Sequence, residues 1–302
     1  MPLKKEMGYL LALAAAVLWS TLGLLGKYLY RYGADPLTVV TIRATIAFVT
    51  LASVLALLRR RYLLIRARDI PFFAAYGLIG VTLNYASYFY ALQWTTVTMA
   101  VILLYTYPSL VTVFGAILMD EPLTWSKVLV LVLTFGGCFL VVEGYDLSAW
   151  RTNAPGILLG LAAGVTAAAY SLLGKKALER YNPWTAVCYA FGFGAAFLLL
   201  FRPPGTLLRV NYPWQAWLGI LALAWFPTLL AYSLFTKSMT TIEASRASII
   251  AILEPVLAVV LATIVLGERM SAPQLVGAGL VTVGLILLRL NERPVHPVQV
   301  SG

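Results

Sequence analysis

Glu254 stands midway along an apolar stretch, beside Pro255, with no basic residue three or four positions away. In an apolar solvent such a carboxylate is protonated, paired with another helix or exposed to a water-filled cavity, which makes it a candidate for ion coupling. Two guanidinium groups are also set in apolar surroundings. Arg43 falls about one and a half helical turns inside its stretch, so its side chain either reaches back to the interface or turns inward. Arg246 follows Glu243 by three residues, a spacing that allows a local ion pair. Either arginine could meet a substrate carboxylate.

Polar aromatic residues accompany these charges. Asn84, Tyr85 and Tyr88 lie close together, and positions 84 and 88 share a helical face. Tyr105 and Tyr107 come next, and Trp225 and Tyr232, seven residues apart, are expected on one face. Trp19, with Ser20, falls in the first span and Tyr170, with Ser171, in the sixth. Together they could line an aromatic, hydrogen-bonding cavity for an amphipathic metabolite. Interfacial belts and ordinary helix packing use the same residue types, and both readings stay open. Catalysis fits poorly: the single histidine is His296, near the chain end, and no stretch carries two carboxylates at helical spacing. Histidine-based metal sites and histidine-dependent triads are thereby excluded. No cofactor or metal is expected.

The elements that carry these residues are membrane helices. Hydrophobic residues make up 61% of the chain and charged residues 11%, against roughly 45–50% and 25% in soluble domains. Ten spans are expected, at about 8–29, 36–58, 70–91, 97–118, 126–145, 155–175, 183–202, 214–236, 243–266 and 272–290. The first carries Trp19, Ser20 and Thr21 and has a partner in the second half, so it is expected to belong to the mature fold rather than to a signal peptide. Cys138 and Cys188 fall in different spans and read as packing residues. Fourteen of the 22 basic residues, including the run Arg59–Arg60–Arg61, fall on one side and six on the other. This places both termini in the cytoplasm. The net charge of +10 is then a membrane-surface feature, not a nucleic-acid signal.

The chain is internally duplicated. Tyr107-Pro108 returns as Glu254-Pro255, offset by 147, and Leu24-Leu25-Gly26-Lys27 returns as Leu172-Leu173-Gly174-Lys175, offset by 148. An odd number of spans per half makes the repeats inverted, about an axis in the membrane plane. Such symmetry supplies two near-equivalent conformations and points to a transporter. Pro108 and Pro255 each remove a backbone N–H and leave the carbonyl four residues earlier, Leu104 or Ala251, without its helical partner. They are either gating hinges or static kinks. Gly156, Gly160 and Gly164 permit close helix approach, within the chain or across a dimer. Asp120-Glu121 and Glu268 read as turn or cap residues.

Arg43 in the second span, Ala91-Leu92, Tyr107-Pro108, Asp120-Glu121-Pro122-Leu123-Thr124 and Gly136-Gly137 form a pattern similar to the EamA-type repeat. Glu254-Pro255-Val256, Gly267-Glu268-Arg269-Met270-Ser271, Gln274 and Gly277 echo it in the second half. The chain resembles the EamA-like branch of the drug/metabolite transporter superfamily, most closely the YddG-type exporters of aromatic amino acids. One departure is that the second half has no arginine matching Arg43. The resemblance implies a five-helix repeat over 1–150, an inverted one over 151–291 and a cavity between them, with efflux of small metabolites through the inner membrane. A polar tail, 292–302, is expected to be disordered and cytoplasmic. Amino acids are the expected cargo, with hydrophobic cationic drugs the alternative and an intramembrane enzyme the remote one. The partners are that substrate and the lipid bilayer, and a monomer is allowed.

Overall fold

The computed structural model describes residues 2–146, 154–207, 211–267 and 269–290. Glu268, His296 and the 292–302 tail lie outside them. The described residues are helical and contain no strand. Among the described residues, nine segments are long and apolar enough to cross a membrane: α1 Lys5–Tyr30, α2 Pro36–Leu58, α3 Ala67–Trp94, α4 Met99–Leu118, α6 Ala154–Ala177, α7 Pro183–Phe201, α8 Trp214–Ser238, α9 Ala244–Val265 and α10 Ala272–Leu290. A shorter apolar helix, α5 Trp125–Val141, lies between the fourth and sixth. It ends four residues earlier than expected because Val142–Tyr145 form a turn, with Glu143 at φ 58°.

Local chemistry sets the boundaries. Asp35 caps α2 by accepting from the Thr38 amide, and Asn182 caps α7 by accepting from the Trp184 amide. Each cap is followed by a proline in the first turn, where a missing N–H costs nothing. Asp35 also pairs with Arg202 at 2.9 Å. Burial pushes its carboxyl up, but the Thr38 bonds and Arg202 outweigh it and hold the group below the usual value. Gly267, at φ 70°, ends α9 in the left-handed region that favours glycine.

Five of the long helices are interrupted inside, α1 by a turn at Thr21 between Pro2–Ser20 and Leu22–Tyr30. The third segment of each half carries a π-helical stretch, Leu78–Leu83 in α3 and Ala224–Leu230 in α8. Pro227 lies within the second, and the Leu223 carbonyl that would have paired with its missing N–H accepts from the Thr228 hydroxyl instead, at 2.8 Å. The fourth segment of each half breaks beside its proline. α4 stops at Leu104 and resumes at Tyr107, and α9 stops at Ala251 and resumes at Leu253.

Packing pairs the halves. α5 lies along α10, α2 along α7, α3 against α6 and α1 against α8. Gly137 and Gly277 face each other at the α5–α10 contact: a Cβ on either would stand about 2.5 Å from the other's carbonyl oxygen. The Gly156, Gly160 and Gly164 stripe is used within the chain, against Trp94, Leu103 and Thr106. It therefore brings α6 onto the break in α4.

Candidate substrate-binding site

The interior between the halves is an aromatic cluster. The ring centroid of Trp19 lies 5.1 Å from those of both Tyr232 and Phe235. Tyr170 continues the chain, 4.9 Å from Tyr232 and 5.1 Å from Tyr76. The π turn in α3 delivers Tyr85 into this region, buried, immediately after the widened stretch. Several polar atoms here have no hydrogen-bond partner among the described residues: Trp19 Nε1, Tyr76 Oη, Tyr85 Oη and Ser233 Oγ.

Arg43 enters the same cluster from α2. It is only 8% exposed, and its guanidinium carbon sits 4.4 Å from the Tyr85 ring centroid. Its Nε has no partner, and no carboxylate pairs with the side chain among the described residues. Tyr30 and Tyr232 are its electrostatic neighbours. A cation–π contact returns about 0.5–2 kcal/mol, less than the several kcal/mol that desolvating a cation costs. The planar fork is therefore left with donors suited to a carboxylate.

A second polar locus surrounds Glu254, the second residue of the half-helix Leu253–Leu266. Tyr88 from α3, Tyr105 and Tyr107 from α4 and Cys138 from α5 lie within electrostatic reach of its carboxylate. Tyr105 and Tyr107 form a ring pair with centroids 6.1 Å apart. Among the described residues Glu254 has no basic partner. The break beside it is bridged from the other half. The Ile252 amide turns to the Ile249 carbonyl, and the Ser248 carbonyl accepts from the Tyr107 hydroxyl at 3.3 Å.

The start of α9 holds a third, charged cluster. Glu243 receives Lys127 at 2.7 Å and Arg246 at 3.0 Å. Arg246 also donates to the Tyr9 hydroxyl and the Leu288 carbonyl, at 3.0 and 3.1 Å. Its donors are thus committed to structure, unlike those of Arg43. Beside it, Glu121 accepts from the Ala244 and Ser245 amides at 2.7 and 3.1 Å, and from the Ser245 hydroxyl. Lys127, 1% exposed, adds a 3.0 Å bond to Ser245 Oγ. Lys175 closes the same end through the Met239 and Ile242 carbonyls. Sequence reasoning missed Lys127 and saw Glu121 only as a local cap. Their partners lie more than 110 residues away, and no local spacing announces them.

Two other residues depart from expectation. Trp225 and Tyr232 do not share a face. Most of the π stretch lies between them, and its extra residue per turn rotates the succeeding residues by about 100° relative to an α-helix. Trp225 is 43% exposed, bonds Thr50 Oγ1 at 3.1 Å and borders a lateral groove of about 280 Å³ with Val54, Trp184 and Leu229. Asn84 points to α6, donating to the Ala163 carbonyl at 2.9 Å and to Thr166 Oγ1 at 3.2 Å.

Comparison with known proteins bears on this arrangement. The model of the EamA-like transporter family matches residues 6–143 and again residues 154–290. The chain is 31% identical over 207 residues to an uncharacterized transporter of Archaeoglobus fulgidus, with 68% of this chain and 72% of that one covered. It is 24% identical over 302 residues to the uncharacterized inner membrane transporter YicL of Salmonella typhimurium, covering 95% and 96%. A solved structure, described as the crystal structure of a protein, superposes with a TM-score of 0.79 at 20% identity, covering 94% of this chain and 99% of that one. That likeness establishes a shared fold.

Proposed function

The chain belongs to the EamA-like transporter family, and from that premise we propose that it exports small carboxylate-bearing metabolites, amino acids with aromatic side chains among them. The observation that carries this reading is Arg43, a buried cation without an acidic partner inside an aromatic cluster. Trp19, Tyr85, Tyr170 and Tyr232 supply ring surface for an apolar side chain. Trp19 Nε1 and Tyr85 Oη supply unused donors.

In this reading ten spans form two inverted five-helix repeats, 1–150 and 151–291, in the inner membrane with both termini cytoplasmic. The pattern of helix partners supports it. Exchanging each helix for its equivalent five places along turns the α3–α6 contact into the α8–α1 contact and returns α2–α7 and α5–α10 to themselves. Alternating access arises from exchanging the two packings. The Glu243 cluster joins α1, α5, α9 and α10 at the cytoplasmic end. There Tyr107–Leu118 packs against Ala244–Ala251, so this end is the closed one.

A second reading, efflux of hydrophobic cations, is favoured by one observation, the absence of a basic partner for Glu254 among the described residues. The two readings separate in proteoliposomes. Uptake of phenylalanine and related amino acids supports the first. Movement of hydrophobic cations without any amino acid refutes it. Product formation by solubilised protein, without flux, would refute both in favour of an enzyme.

A further inference from the structure

We propose that Glu254, with the rings of Tyr105 and Tyr107, is an ammonium-binding subsite that takes the amino group of the transported metabolite. The inference rests on the transporter reading but not on the role given to Arg43. Its first support is charge. The carboxylate lies in the interior of a membrane-spanning helix, and the titratable groups that reach it from α3, α4 and α5 are Tyr88, Tyr105, Tyr107 and Cys138, none of them a cation. The Tyr105 hydroxyl hydrogen-bonds the carboxylate, but neither that phenol nor the thiol brings a positive charge.

Its second support is shape. Tyr105 and Tyr107 present a tilted ring pair, with an angle of 46° between planes. Aromatic faces beside a carboxylate are the surroundings that attract an organic ammonium, since the ring quadrupoles and the carboxylate add. Both tyrosines are buried, and the Tyr107 hydroxyl is already engaged with the Ser248 carbonyl. Tyr107 therefore offers its ring rather than its oxygen.

The third support is position. Glu254 sits where α9 is broken, just past Ile252, so its place depends on how the two half-helices meet. Tyr88 interacts with Glu254 on one side and with Tyr30 on the other, and Tyr30 interacts with Arg43. Arg43 is two tyrosines removed from Glu254, so the ammonium subsite stands on Glu254 and its own rings. An ammonium at Glu254 would hold the break in one geometry, which links occupancy to the helix that must move.

The test uses two probes that are each half of phenylalanine: phenethylamine, with the amine alone, and 3-phenylpropionate, with the carboxylate alone. Equilibrium dialysis against the full-length protein in detergent reads both without requiring flux. Glu254→Gln is expected to weaken phenethylamine by roughly ten- to hundredfold, the worth of a charged hydrogen bond, and to leave 3-phenylpropionate within about twofold. Tyr105→Phe, which keeps the ring, is expected to retain phenethylamine, and Tyr105→Leu to lose it. Absence of phenethylamine binding to the unaltered protein would overturn the proposal. So would equal loss of both probes in Glu254→Gln, or unchanged amine binding. Arg43→Gln separates this from the carboxylate reading: retained 3-phenylpropionate binding there would sink that reading and leave the ammonium subsite standing.

Discussion

Replacing Glu243 by glutamine removes the acid that two cations from different parts of the chain share. Lys127 is left with only 1% of its side chain exposed and one neutral partner, Ser245 Oγ at 3.0 Å. Arg246, 12% exposed, keeps Tyr9 and the Leu288 carbonyl. Removing one member of a buried pair costs about 3–5 kcal/mol, because the remaining charge is stranded. Lys127→Met is the informative contrast. It keeps the apolar stem and strands less, since Glu243 retains Arg246 at 3.0 Å and is 21% exposed. Its expected cost is about 1–2 kcal/mol. The difference of about 2 kcal/mol is roughly a thirtyfold change in the folded ratio. Denaturant unfolding in mixed micelles measures both variants. The double variant should cost less than the sum of the singles, because removing both partners leaves no stranded lysine. If Lys127→Met is as damaging as Glu243→Gln, burial of the lysine is not what makes this cluster strong, and the reasoning fails. The cluster ties first-half Lys127 to second-half Glu243, so loosening it should also raise labelling, by a membrane-impermeant reagent, of cysteines introduced at this end of the bundle.

The helix packing and the unpartnered groups set further expectations. Gly137→Ala and Gly277→Ala should each lower the unfolding temperature, because the new methyl meets the opposite backbone. Gly136→Ala and Gly279→Ala, with nothing within 4 Å, should not. Tyr85→Phe and Trp19→Phe delete polar atoms that have no protein partner, so stability should hold or rise while substrate affinity falls. Destabilisation in both would mean those atoms are satisfied and the cluster is ordinary core. Pro108→Ala and Pro255→Ala should shift cysteine accessibility toward opposite faces if the breaks are hinges. Labelling identical to wild type in both would reduce them to fixed kinks.

Much of this fold is legible in the linear pattern because each element announces itself locally. Asp35-Pro36 and Asn182-Pro183 start helices with a capping side chain and a proline. Tyr107-Pro108 and Glu254-Pro255 mark the two breaks, since a proline cannot continue the hydrogen-bond ladder. The π stretches are hidden. No residue spacing announces their widened turns, although Pro227 lies inside one of them and Thr82 in the other donates to the Gly194 carbonyl, and they shift the helical register. That is why equal spacing misplaces Trp225 while the neighbouring Tyr232 still reaches the interior. Arg43 is visible as a charge among apolar residues, but its two possible directions are separated only by the ring of Tyr85 that it covers. The Glu121–Ser245 and Lys127–Glu243 contacts leave no trace in sequence spacing. Both close across the interface between halves, where distance along the chain carries no information about distance in space.

Phenylalanine counterflow in proteoliposomes, compared between wild type, Arg43→Lys and Arg43→Gln, reads the part of the buried guanidinium in transport. A carboxylate held by the buried guanidinium predicts flux in wild type, a reduced rate in the lysine variant, which keeps the charge but not the fork, and loss in the glutamine variant with the fold intact. Equal flux in all three proteins would contradict the account.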